Sequence, residues 1–152
     1  MLTDQALIEM GRKIQEDPAW FYVPGMWMRY LGDPPEARAV ITSVPDETST
    51  NAWDGTLVRS GQPLTVSLRD VDRWVPDLAH PATKGCFLEV LRAGFRRPTL
   101  GARQMSGIGL EETGGWFMAT PGWERFSDYY STEIEAMVSI LPYANFFPKR
   151  RA

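Results

Sequence analysis

Cys86 and His80 are the only cysteine and the only histidine in this 152-residue chain. To work as nucleophile and base they would need to lie within hydrogen-bond reach of one another. They stand in the run His80-Pro-Ala-Thr-Lys-Gly-Cys86. Pro81 suits a first helical position, where its missing N–H would have no partner and its φ is already helical. His80 would then be the N-cap, a post more often held by Ser, Thr, Asp or Asn. Six helical residues turn the chain through about 240° and advance it about 9 Å, so the two side chains face differently. The pair is a poor dyad, and the better expectation is a buried core thiol, the usual fate of a free cysteine. One cysteine and one histidine also exclude the common zinc spacings.

Carboxylates are the next candidates. Asp70 and Asp72 would share a face if their segment is extended, and Asp46, Glu47, Asp54, Glu111 and Glu112 would have to converge on them. A general acid–base pair needs such convergence in a dry setting, whereas acids at turns are normally solvated. Ser106-Gly-Ile-Gly109 lacks the third glycine of a phosphate loop. No catalytic residue, metal site or cofactor is expected. Two basic clusters, Arg92, Arg96, Arg97 and Arg103, then Lys149, Arg150 and Arg151, would make a nucleic-acid surface if they met beside Phe95 and Trp116. A formal charge of −3 and a pI near 5.2 weigh against that reading. Of six tryptophans, Trp53 and Trp123 are flanked by turn residues and are expected to be exposed, as anchors for a protein partner. Trp20, Trp27, Trp74 and Trp116 are expected in the core.

The elements that must position these residues follow from periodicity. Thr3 caps a helix to about Glu16, ended by Asp17-Pro18. Met26–Leu31 and Ala37–Val44 read as a hairpin across the breakers Gly32-Asp-Pro-Pro-Glu36. Pro45 to Asn51 reads as a loop and Trp53-Asp54-Gly55 as a turn. Thr56–Arg59 and the alternating Leu64–Arg69 are further strands, and Asp70 to Val75 leads into the central helix, Pro81 to Ala93, with Gly94 as its C′ glycine. Its apolar stripe is Cys86, Phe87, Val90 and Leu91. Thr99–Met105 is a weak strand and Ser106–Gly109 a flexible link, and Leu110–Thr113 and Trp116–Ala119 read as a second hairpin across Gly114-Gly115. Phe126 to Tyr130 is an aromatic loop or short helix. Thr132 and Glu135 form a capping box for a last helix that Pro142 stops. The fold class is α+β: an antiparallel sheet of about five to seven strands with three helices packed mainly on one face, in one domain over residues 1–152.

The first residues carry acid and no long apolar run, unlike a signal peptide, and no window approaches the ~20 apolar residues of a membrane span. A cytoplasmic location is expected. The segment Val75-Pro-Asp-Leu-Ala-His-Pro-Ala-Thr-Lys-Gly-Cys86 resembles one found in small uncharacterised phage and prophage proteins, roughly Pro-Asp-Leu-x-Asp-Pro-Ala-Thr-x-Gly-Cys before a helix. Pro76, Asp77, Leu78, Pro81, Ala82, Thr83, Gly85 and Cys86 match, and His80 departs from the aspartate. The resemblance implies a phage accessory gene in a bacterial host and carries no activity or site residue. A small acidic accessory protein points first to binding of a host or phage protein complex, for example as an anti-CRISPR-like inhibitor. Asp33, Glu36, Asp46, Glu47, Glu111 and Glu112 would there mimic nucleic-acid charge. A carboxylate- or metal-dependent enzyme acting on nucleotides, and a nucleic-acid binder, are the alternatives.

Overall fold

The computed structural model describes residues 2–45, 52–67, 70–94, 107–110, 115–119 and 127–146. The expected strand Thr99–Met105, the linker after Gly94, most of the Pro45–Asn51 loop and the basic tail lie outside the described residues.

Helix α1 (Asp4–Glu16) starts where Thr3 accepts a hydrogen bond from the Ala6 N–H at 3.1 Å. That satisfies one of the donors a helix start leaves open. Its buried side packs along one sheet edge, with Ile14 in the core and Gly11 riding on Val75. Four strands follow as an antiparallel meander: β1 (Trp27–Tyr30), β2 (Arg38–Ser43), β3 (Trp53–Leu57) and β4 (Pro63–Val66). A 3-10 turn (Val71–Arg73) then delivers β5 (Trp74–Pro76) to the free side of β1, giving the order β4-β3-β2-β1-β5.

Register fixes two faces. Met28 pairs with Ala39 and Pro76, Tyr30 with Trp74, Ile41 with Gly55, Gly55 with Leu64, and Trp53 with Val66. With side chains alternating along each strand, these residues make the inner face, and Trp27, Arg29, Arg38, Val40 and Thr56 make the outer one. Three strand spacings separate β3 from β5, roughly 14 Å in a flat sheet. The Trp53 and Trp74 rings nevertheless meet edge to face at 5.9 Å between centroids. The sheet is therefore curled around its inner face, and a curled sheet can enclose aromatic rings that a flat one would leave on its surface.

Trp53-Asp54-Gly55 is not the expected turn. It is the body of β3, and Trp53 is fully buried instead of exposed. The glycine has another task. A Cβ on Gly55 would lie 2.6 Å from the Trp53 ring and 2.7 Å from the Val40 carbonyl oxygen. Trp53 and Gly55 share the inner face, so the missing side chain is the space the indole occupies.

Helix α2 (Pro81–Gly94) buries Thr83, Phe87, Val90 and Leu91, a stripe at i, i+4, i+7 and i+8. Phe87 meets Trp20 edge to face at 5.3 Å. The Thr83 hydroxyl accepts from the Trp27 N–H at 3.0 Å and donates to the Trp27 carbonyl at 3.1 Å, which pins α2 to β1. Two further strands, β6 (Gly107–Leu110) and β7 (Trp116–Ala119), form the second hairpin. Gly107–Gly109 is thus strand, where a flexible link was expected. Helix α3 (Glu133–Ile140) begins at Thr132, which accepts from the Glu135 N–H and donates to its carboxylate at 2.8 Å. The α-helix ends at Ile140 with Leu141 as its cap, just before Pro142, and the chain goes on as a 3-10 turn (Leu141–Phe146). One apolar cluster joins sheet, helices and hairpin. No described helix is long and apolar enough to cross a membrane.

Candidate binding site on the outer rim of the sheet

The alternation in Met26-Trp-Met-Arg-Tyr30 sends Met28 and Tyr30 inward and leaves Trp27 and Arg29 outside. Register sets Arg38 opposite Arg29, where two like charges repel. Each has a carboxylate partner. Asp4 is 3.9 Å from Arg29 and well solvated, whereas Asp77 accepts from Arg38 Nε at 3.1 Å with only a tenth of its side chain exposed. Asp77 is held there because its own N–H donates to the Trp27 carbonyl at 2.8 Å, prolonging β5 by one rung. Arg38 Nη1 donates to the Pro35 and Ala37 carbonyls at 3.1 and 3.0 Å. Three hydrogen bonds thus fix the guanidinium in place. Among the described residues Nη2 has no hydrogen-bond partner.

His80 completes this surface. Its Nδ1 accepts from the Ala82 N–H at 3.1 Å, the N-cap role expected of it. Its ring stacks on Trp27 at 4.1 Å and 11°. One imidazole therefore caps α2 and steadies the tryptophan.

Beside this group lies a cavity of about 430 Å³ walled by Trp27, Glu36, Arg38, Val58, Arg59 and Ser60. Arg59 adopts φ 81° in the β3–β4 turn. That left-handed conformation costs a residue with a Cβ roughly 1–2 kcal/mol, and Arg59 has no ion pair or hydrogen bond among the described residues. Around the rim, sharing Pro34, Ala37 and Leu57, a second cavity of about 390 Å³ opens onto the inner face. Tyr30, Leu64, Trp74, Asp70 and Arg73 line it.

The residues singled out from sequence are distributed unevenly around this rim. Glu36 lines the outer cavity, and Asp33 is exposed in the same β1–β2 connection. Trp53 is core and offers no surface. Arg92 pairs with Glu89 at 3.2 Å on the exposed side of α2. Asp46, Glu47, Glu111, Glu112, Trp123, Arg96, Arg97, Arg103, Lys149, Arg150 and Arg151 lie outside the described residues. Of the remaining acids, Asp54 accepts from the Ser43 hydroxyl, Asp70 from the Ser67 hydroxyl, and Asp72 is exposed. Among the described residues no three His, Cys, Asp or Glu side chains come together as a metal site would require.

Cys86 is half-buried, where a fully buried thiol was expected. The buried stripe of α2 starts from Thr83, which leaves position 86 at its margin. Sγ donates weakly to the Pro24 carbonyl at 3.8 Å. Burial, and then the Glu89 charge, push its pKa upward, so it is held as the thiol. Its helix face carries it to Pro24 and Gly25, while His80 lies on Trp27.

Trp27 was expected in the core and is instead partly exposed in the cavity wall, because β1 alternation turns it away from Met28; Arg38, Arg59 and Asp77 carried no expectation as a group. The available signal was period-two alternation placing Trp27 and Arg29 on the face opposite Met28 and Tyr30. Comparison with family models, with curated proteins and with solved structures returned no match to this chain.

Proposed function

We propose that the protein acts by contact, as a phage-type accessory protein that docks on a host or phage protein complex in the bacterial cytoplasm. Inhibition of a host defence complex, of the CRISPR kind, is the role that fits such an accessory protein. The observation behind this reading is the outer rim itself. A tryptophan braced by a histidine, and an arginine fixed by three hydrogen bonds, flank an open cavity on a rigid sheet. Tryptophan and arginine are the residues that most often anchor protein interfaces, and rigid anchors lose little entropy on binding. Glu36, from the acidic set expected to meet a partner, stands in the same wall.

The test is capture of a defined complex from host extract on the immobilised protein, followed by measurement of affinity with purified components. Wild type binds at micromolar Kd or tighter. Asp33→Arg, an exposed change in the β1–β2 connection that leaves both the core and the cavity wall alone, weakens binding at least fivefold. No measurable affinity for any captured complex, or binding indifferent to the rim, would sink the reading.

A further inference from the structure

We propose that the outer-rim cavity is a carboxylate-binding subsite for a peptide, with Arg38 and Arg59 holding the carboxylate and Trp27 receiving the apolar side chain beside it. The proposal rests on the contact reading above and names the chemistry of what docks.

Charge and geometry carry it. Arg38 lines the cavity with Nε and Nη1 already committed, so its orientation is fixed and Nη2 is the nitrogen it has to spare. A guanidinium donates most strongly to a planar anionic oxygen pair. Arg59 reaches the same cavity from a turn where its left-handed backbone would suit glycine better. The sequence supplies a glycine two residues on, at Gly61, also at positive φ, so the turn keeps a strained arginine beside an unstrained glycine. Strain kept at one position is a pointer to use. Besides the two cations, the lining includes the apolar side chains of Trp27, Leu57 and Val58. A single carboxylate next to an aliphatic or aromatic group therefore matches the lining.

A polyanion does not match. Glu36 lies in the wall and Asp77 sits against Arg38, so two carboxylates offset the two guanidiniums. The strip that would have to follow a nucleic-acid backbone is locally neutral, and counterion release would contribute little.

The probe is acetyl-Leu-Asp-Leu-amide, titrated into the full-length protein while the Trp27 indole N–H is followed by NMR. The buried Trp53 indole serves as internal control. The Asp peptide shifts the Trp27 signal and saturates at low-millimolar concentration, while the Asn counterpart binds at least tenfold more weakly. Arg59→Gly weakens the Asp peptide at least fivefold with the melting temperature equal or higher, because glycine takes φ 81° without strain. Equal binding of Asp and Asn peptides, full binding by Arg59→Gly, or tighter binding of a single-stranded oligonucleotide than of the peptide would each overturn the proposal. Failure here is separable from failure of the contact reading. If captured host complex still binds and is weakened by Asp33→Arg while the peptides do not bind, the interface stands and the carboxylate subsite does not.

Discussion

On the inner face of the curled sheet, Trp53, Met28, Ile41 and Val66 are at most 2% exposed, and tryptophan rings meet edge to face. On the outer face of the same strands, Trp27 and Arg38 are only partly buried and are held by a histidine ring, a carboxylate and two carbonyls. The inner face is ordered by volume, the outer face by hydrogen bonds and charge. Stability should respond to shape on one side and to polar pairing on the other, and that contrast can be broken residue by residue.

The largest effect is expected at Gly55. An added methyl group there meets both a buried ring and a backbone oxygen at less than 3 Å. The oxygen belongs to a strand and has little room to yield, so Gly55→Ala is expected to cost about 3 kcal/mol, at the upper end for overpacking. Shrinking the ring with Trp53→Leu removes one of the two collisions. Urea denaturation of the double variant should therefore show a loss at least ~1 kcal/mol smaller than the sum of the single losses. Strict additivity would mean the indole is not what fills the glycine's space.

Asp77→Asn probes the outer face. It leaves Arg38, three-quarters buried, without its counter-charge. Breaking a fully buried pair typically costs 3–5 kcal/mol. Discounted for the exposed part of Arg38, the expected loss is about 2 kcal/mol. Asp4→Asn acts on the pair at 3.9 Å, whose acid is 83% exposed, and should fall within about 0.5 kcal/mol of wild type. Equal losses at the two acids would remove the claim that burial separates them.

How far the sequence reveals these two faces depends on distance along the chain. Thr3 as N-cap, the Thr132–Glu135 box, the β1–β2 hairpin and the helix opened by Pro81 were all legible, because each rests on neighbours within a few residues. β5 escaped, being three residues long with every one buried, so it has no alternation to read. Asp-Gly at 54–55 is a turn signal locally, and tertiary packing overrode it. Of the candidate site's lining, Glu36 alone was singled out by its sequence. Arg38 and Asp77 are 39 positions apart, and Thr83 reaches Trp27 across 56. Pairings of that kind are set by the strand order, which local periodicity does not encode.

Tyr22 touches the inner cluster yet carries a polar tip, so it tests both modes at once. Burial raises its pKa well above the ordinary 10.0, and the hydrogen bond donated by Gln15 at 2.9 Å partly offsets the rise. Below pH 10 both folded and unfolded chains keep the proton, and stability is unaffected by it. Above pH 10 the unfolded chain loses the proton while the folded one retains it, so stability falls as pH climbs. Tyr22→Phe should cost about 1 kcal/mol at pH 7, through the acceptor lost to Gln15. That deficit should narrow between pH 10 and 11 in urea titrations, because the phenylalanine variant has no proton to lose there. A constant deficit would place the hydroxyl in water.

One small effect should carry the opposite sign. Gly85 is exposed in the interior of α2, and a Cβ built there meets nothing within 4 Å. Glycine inside a helix costs roughly 0.5–1 kcal/mol relative to alanine, since it gives up more backbone freedom on folding. Gly85→Ala should therefore stabilise by that amount and raise the melting temperature, while Gly55→Ala unfolds the protein more readily. The two glycines have the same chemistry and differ only in what stands where a side chain would begin. If Gly85→Ala proved destabilising, the open side of α2 would have to be covered by part of the folded chain, and the faces of this helix would need to be redrawn.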